Sequence, residues 1–366
     1  MGKLWTRSIL YVIIKEKLLV RYVMQDKIMG CIYGGAIGDA MGYPIEFYRD
    51  SELKTLFKGN KVSKYLYQEG IISDDTQMTL FTIDGILKPT FAITKEDYMN
   101  SIIDNIYQSY LDWLATQVGK FRDRSRYKNY STQSRLLNCE PLYDLRAPGN
   151  TCLSALHSGK MGTLDKPINT SKGCGGVMRV APIGILVKPT IFSDNEVAVI
   201  GAKAAAITHG HELGYLPAAM LSVLIRRLIY FHEDILTGVQ HAIDITKETF
   251  QNCEHMDEFE QLINKSISLA VNNDDDIINI KKLGEGWVGD EALAIAIYSA
   301  LRYQNNFKDG IVCAINHGGD SDSTGAIAGN ILGAYLGGNK IPSELIKDLE
   351  LKNLISDMCY DMCRKI

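Results

Sequence analysis

Apolar residues recur at three- and four-residue spacing along most of the chain, and the two-residue alternation of a half-buried strand is scarce. The spacing predicts helices over residues 202–206, 216–230, 291–303 and 343–364, and an all-α class. Turn signals at Pro148-Gly149, Lys188-Pro189 and residues 338–342 punctuate these runs. Residues 271–277 interrupt the pattern with three aspartates; no other ligand type adjoins them, so they read as a solvated loop. One periodicity differs from the rest. Gly30, Gly34, Gly38 and Gly42 recur every four residues, as do Gly325, Gly329, Gly333 and Gly337. On a helix each set forms a bare stripe that drifts slowly around the axis. Interior glycine costs roughly 1 kcal/mol relative to alanine, a loss that close helix–helix approach can offset. Membrane helix dimers use similar stripes, but Asp39 and the short length of these runs argue against a membrane. The stripes therefore predict two central helices packed backbone to backbone. If the two run antiparallel, Glu46, just past the first stripe, meets Asp320 and Asp322, just before the second.

Composition narrows the class. The 366 residues are 46% hydrophobic and 22% charged, an ordinary globular balance with length enough for a large core. A net charge of −4 makes no electrostatic case for nucleic acid. The eight cysteines include no C-x-x-C pair, so the expectation is buried thiols in a reducing, cytoplasmic setting rather than a disulfide frame or a zinc site. Residues 8–14 are mostly apolar but are bracketed by Arg7, Lys15, Glu16, Lys17 and Arg21. That run is too short to span a bilayer, and no small-residue cleavage site follows it. Met1-Gly2 with Thr6 matches a loose myristoylation pattern, which is weak because it is short. Residues 1–26 are read as an N-terminal extension, either an added helix or the result of a start upstream of Met24 or Met29. Residues 27–366 form one domain, and a monomer is expected.

The candidate chemistry lies in carboxylate-dense segments. His317-Gly-Gly-Asp320-Ser-Asp322-Ser323-Thr324-Gly325 and Ser73-Asp74-Asp75-Thr76 each place two carboxylates beside hydroxyls. Carboxylates so close repel unless solvated, protonated or neutralised by a cation. Dense oxygen donors suit Mg²⁺, Ca²⁺ or Mn²⁺ rather than zinc or copper. An EF-hand loop fails at its twelfth position, which is Ile331 rather than glutamate. Helix capping explains one of Asp320 and Asp322 but hardly both together with Ser323, while Ser73 or Asp74 can cap a helix running through Met78 to Ile86. Adjacent helical side chains diverge by about 100°, so Asp74 and Asp75 can reach two different cations. Residues 169–179 form a glycine-rich turn leading to Arg179, able to cradle a phosphate but matching neither the Walker nor the dinucleotide fingerprint. Thr208-His209-Gly210-His211 lacks further ligands at zinc spacing, so its histidines are read as site-facing or capping. Before the helix at 291, Asp290 is expected as its N-cap, and Trp287 is read as a core residue, with stacking on a flat ligand ring as the alternative.

Taken in order, residues 30–47, 73–78, 173–184, 208–211 and 316–332 resemble the ADP-ribosylglycohydrolase family. The resemblance spans the chain from about residue 28 to its end. It implies a single compact, roughly orthogonal helix bundle with a dinuclear Mg²⁺ centre in a cleft, Mn²⁺ being a possible substitute. By motif position the metal ligands fall on Ser73, Asp74, Asp75, Asp320, Asp322 and Ser323. Asp74, Asp75 and Glu46 are the candidates for general acid or base. Gly173, Gly175, Gly176, Val177, Met178 and Arg179 match the turn that receives the ADP-ribose diphosphate, and His209 a residue close to it. Some arginine-directed members carry an additional acid near the cleft; residues 146–151 lack one. The implied reaction is hydrolysis of the glycosidic bond between ADP-ribose and a modified protein side chain, with an ADP-ribosylated protein or ADP-ribose conjugate as partner. Two other readings compete: a silent crystallin-like protein of the same fold, which the complete donor set disfavours, and a metal-dependent phosphoesterase.

Overall fold

The computed structural model describes residues 2–90, 92–123, 134–186 and 191–365, with side chains from residue 21 onward. Met1, the side chains of Thr6, Arg7, Lys15, Glu16 and Lys17, and the Lys188-Pro189 turn lie outside these described parts. In chain order the helices are α1 (Gly2–Gly42), α2 (Asp50–Leu56), α3 (Asp74–Leu87), α4 (Lys95–Val118), α5 (Asn150–His157), α6 (Ala181–Leu186), α7 (Asp194–Ala206) and α8 (Glu212–Tyr230). They continue with α9 (Ile235–Thr249), α10 (Met256–Ala270), α11 (Asp276–Leu283), α12 (Gly289–Arg302), α13 (Phe307–Ile315), α14 (Ser321–Leu336), α15 (Ser343–Lys347) and α16 (Lys352–Lys365). Among the described residues the extended pairing amounts to two isolated bridges, Gly70 with Leu349 and Gly173 with Val288.

The glycine stripes bring α1 and α14 into backbone contact. A Cβ placed on Gly30, Gly34 or Gly38 would overlap the carbonyl of Gly333, Gly329 or Gly325 respectively, and one on Gly42 would overlap that of Ser321. Each step of four residues up α1 is matched by a step of four down α14, so the helices are antiparallel. Helix axes can approach this closely only where side chains are missing on both sides. Asn330 adds a hydrogen bond from its Nδ2 to the Cys31 carbonyl at 2.8 Å, and the Ser321 hydroxyl donates to the Gly42 carbonyl at 3.1 Å. Gly337 closes the stripe: a Cβ on Gly30 would also overlap its carbonyl carbon, and at φ +86° it ends α14, in a region glycine tolerates.

Around this pair the other helices supply an apolar core. Helix α8, although long and apolar enough to cross a membrane, is largely buried within it. The predicted helix over 343–364 is broken in two. Residues 348–351 leave the helical path because their backbone pairs with Gly70: Gly70 N–H donates to the Asp348 carbonyl at 2.7 Å, and Glu350 N–H to the Gly70 carbonyl at 3.0 Å. Leu351 takes φ +56° to restart the helix. The Asp-rich segment is also not purely solvated. Asp276 is buried, accepting from the hydroxyls of Tyr298 at 2.8 Å and Tyr303 at 2.7 Å. All eight cysteines are free thiols.

Candidate metal centre and cleft

Helix α1 carries Asp39 on the flank of its glycine stripe, fully buried. Its carboxylate accepts from Ser73 N–H at 3.0 Å and from Thr76 N–H at 3.1 Å, with a further short bond from the Thr76 hydroxyl. These are free N–H groups at the start of α3, where a carboxylate is most stabilising. Ser73 caps the same helix, its Oγ accepting from Asp75 N–H at 3.1 Å. Asp39 thus fixes the turn from which Asp74 and Asp75 project. Asp74 accepts from Gly149 N–H at 3.2 Å, tying it to the loop before α5.

The opposite wall is the start of α14. Asp320 is its N-cap, accepting from Ser323 N–H at 3.2 Å, and Asp322 accepts from the same N–H at 3.0 Å. The segment is held from behind by Thr324, whose hydroxyl donates to the carbonyls of Ala314 and Asp320, and by the Asp320 N–H bond to the Glu285 carbonyl at 2.9 Å. Glu46, just past α1, closes the group: one ligand atom each from Glu46, Asp320 and Asp322 lies within 4.8 Å of the others. The antiparallel glycine contact is what brings Glu46 there.

The residues fit a cation. Glu46 Oε2 and Asp75 Oδ2 are buried without a hydrogen-bond partner, a costly arrangement for acceptors unless something positive meets them. In the metal-free chain, burial and then repulsion from Asp322 push the carboxyls of Asp74, Asp75 and Asp320 well above their usual range. The same causes raise Glu46 to about 10 and Asp39 to about 7. So many carboxylates ionise together only if a cation shares the space. The donors of the Glu46, Asp320 and Asp322 group are all oxygens, which suit a hard divalent cation rather than zinc. Cys174, which the sequence reading passed over, lines the cleft at the edge of this group, and burial, then the charge of Asp320, pushes its thiol well above its usual range.

The cluster lies at the floor of a cleft of about 540 Å³, lined among others by Asp74, Asp75, Gly173, Gly175, Met178 and His209. The glycine-rich turn is clamped on both sides. Cys174 N–H donates to the Trp287 carbonyl at 3.2 Å and Gly289 N–H to the Lys172 carbonyl at 2.8 Å, while Asn169 accepts from Gly210 N–H at 3.0 Å. A side chain at Gly175 would crowd His209 and Cys152, so the turn keeps its backbone bare beneath the cleft. His209 is buried, its Nδ1 2.9 Å from the Thr208 hydroxyl; burial, then the nearby Arg179, lowers its pKa to about 3, so it is neutral. His211 caps α8.

Four expectations are revised. Arg179 does not line the cleft. It is fully buried behind the cleft wall, donating to the Thr208 hydroxyl at 2.6 Å and the Ala204 carbonyl at 3.3 Å, with its guanidinium 4.3 Å from the Tyr110 ring centroid. Gly176 and Val177 are buried beneath the same wall and support it rather than line it. Trp287 is 39% exposed, stacked on Phe47 with ring centroids 6.0 Å apart, and lines the cleft instead of the core. Asp290 does not cap α12, whose N-cap position is Val288; Glu291 instead accepts from the N–H groups of Glu285 and Gly286. Sequence reasoning missed Asp39 as a site-forming residue. Its one signal was an ionisable side chain within a glycine-striped, otherwise apolar helix.

Comparison with known proteins agrees with this geometry. The family model for ADP-ribosylglycohydrolase matches residues 21–366. An uncharacterised protein of Archaeoglobus fulgidus is 24% identical, covering 94% of this chain and 99% of its own length. Human ADP-ribosylhydrolase ARH3 is 22% identical over 87% of each chain. The ADP-ribosyl-[dinitrogen reductase] glycohydrolase of Rhodospirillum rubrum is 23% identical, covering 90% and 92%. Among solved structures, an ADP-ribosylglycohydrolase-related protein complex shares the fold, with a TM-score of 0.57 and 20% identity over 93% of this chain and 98% of that one. With its acid-lined cleft and a family match over nearly its whole length, the chain belongs to the ADP-ribosylglycohydrolase family, a family of glycosidic-bond hydrolases.

Proposed function

We propose that the chain is a two-metal, Mg²⁺-dependent hydrolase that cleaves the N- or O-glycosidic bond between ADP-ribose and a protein side chain. The observation that carries this reading is the pair of unpartnered buried oxygens, Glu46 Oε2 and Asp75 Oδ2, at the floor of a cleft whose wall is a bare glycine turn. Ser73, Asp74, Asp75, Asp320, Asp322 and Ser323 would hold the ions. When bound, Mg²⁺ supplies positive charge that orients ribose hydroxyls and makes a water more acidic.

The chain's own residues do the remaining work. The 173–175 turn, its Gly173 and Cys174 N–H groups held by the Ser171 hydroxyl and the Trp287 carbonyl, presents bare backbone along the cleft where a diphosphate would lie. Neutral His209 supports that turn and offers a hydrogen bond without adding a charge. Breaking the glycosidic bond develops oxocarbenium character at the anomeric carbon, which the surrounding carboxylates stabilise. Asp74, Asp75 or Glu46 takes up or delivers the proton that water and the leaving group exchange. Of the three, Glu46 and Asp75 each keep one oxygen held by no hydrogen bond, whereas Asp74 accepts from Gly149 N–H.

The experiment is product analysis with arginine-, serine- and polymer-linked ADP-ribose, beside a phosphodiester. Release of free ADP-ribose is the expected result. Release of AMP would replace this reading with a phosphoesterase.

A further inference from the structure

A second cavity, of about 700 Å³, adjoins the cleft and is lined by Glu46, Phe47, Trp287, Lys281, His317 and neighbours at the start of α2 and the end of α11. Glu46, Phe47 and Trp287 line both cavities. The stacked Phe47–Trp287 pair is therefore the partition between them, and Glu46 is the carboxylate reached from either side. We propose that this second cavity receives the polypeptide segment that carries the modified side chain. This inference rests on the glycohydrolase reading and extends it to the leaving group.

The argument is one of direction. The glycine turn, His209 and the 147–152 loop occupy the first cavity, on one side of the carboxylates. A ribose over the carboxylates with its diphosphate on that turn directs its anomeric bond toward the other side. There Glu46 stands at the threshold, and the second cavity opens beyond it. Its volume is that of a pocket for a sizeable ligand, well beyond a single hydroxyl or guanidinium. Its walls suit a peptide: Phe47 is 70% exposed and forms an aromatic ledge with Trp287, the kind of surface that anchors polypeptide partners. Beside it stand charges of both signs, with Lys281 paired to Asp50 and with exposed Arg49 and Glu285. That mixture favours a peptide's alternating polar groups over a uniformly anionic ligand.

The test compares two substrates with the same linkage: a short peptide bearing ADP-ribosyl-serine or ADP-ribosyl-arginine, and the corresponding free amino-acid conjugate. Ser51→Trp fills the second cavity from an exposed position of α2, and Lys281→Glu reverses a wall charge as an independent variant. Both are expected to raise KM for the peptide substrate about tenfold, while kcat/KM for the amino-acid conjugate and the calorimetric Kd for free ADP-ribose stay at parent values. Equal losses on both substrates, or an unmoved peptide KM in both variants, overturn the proposal. Weakened ADP-ribose binding overturns it too, by placing the nucleotide in the second cavity. If the parent chain releases ADP-ribose from neither conjugate, the glycohydrolase reading falls. The cavity is then judged by binding alone, and a peptide conjugate bound no tighter than free ADP-ribose overturns the proposal independently.

Discussion

From Gly30 to Gly42, α1 meets α14 through bare backbone; just past it, Glu46 meets the start of the same partner through carboxylates. In the first stretch contact is close because side chains are missing, and the packing there serves stability. In the second, buried acceptors repel one another and Glu46 Oε2, like Asp75 Oδ2 on α3, lacks a partner, an arrangement that lowers the stability of the metal-free chain. The comparison teaches that one helix pair carries both jobs. The glycine contact sets the register that delivers Glu46 to Asp320 and Asp322, and the cost at the acidic end is borne by the packing behind it.

The largest expected effect separates the two stretches by function. Asp322→Asn should lower glycosidic hydrolysis on the order of a thousandfold or more while leaving the melting temperature at or above the parent value, because one of the mutually repelling buried acids is gone. Activity assays beside thermal unfolding in EDTA check this; a variant that loses its fold would mean that the acids hold the helices together. The converse comes from Gly38→Ala or Gly333→Ala, each of which drives a methyl into an opposing carbonyl. Overpacking of rigid backbone should destabilise by about 3 kcal/mol or more, seen as an earlier denaturant midpoint.

A third expectation concerns pH. Asp39 and Glu46 have folded-state pKa values of about 7 and about 10 without a cation, raised above their unfolded values. A raised carboxyl contributes stability that is complete below its unfolded pKa and is lost as pH rises through the folded one. The EDTA-stripped chain should therefore lose melting temperature between about pH 5 and pH 8, and Mg²⁺ should restore it through preferential binding to the folded state. A flat profile would remove the electrostatic contrast between the two stretches. The smallest effect is the control. A Cβ on Gly149 meets open space, and the N–H that Asp74 accepts from is unaltered. Gly149→Ala should stay within about 0.5 kcal/mol of the parent.

The glycine stripes, the antiparallel meeting of Glu46 with Asp320 and Asp322, and the caps at Ser73 and Asp320 were legible because each depends on local spacing. Asp39 was not, because its role is created by Ser73 and Thr76, residues more than thirty positions away that its helix meets only in the fold. Arg179 follows a glycine turn and so reads as an anion ligand, yet the turn's tight curl sends its side chain beneath Tyr110. Trp287 reads as core by composition; only the neighbouring Phe47 makes it a cleft wall. The break at 348–351 has no local punctuation, since it is set by pairing with Gly70, far earlier in the chain.

The most direct test is the rate of ADP-ribose release from an ADP-ribosylated peptide by the EDTA-stripped chain as Mg²⁺ is added back. The account predicts no release before addition and saturable recovery after it. Release at the full rate by the stripped chain would contradict it.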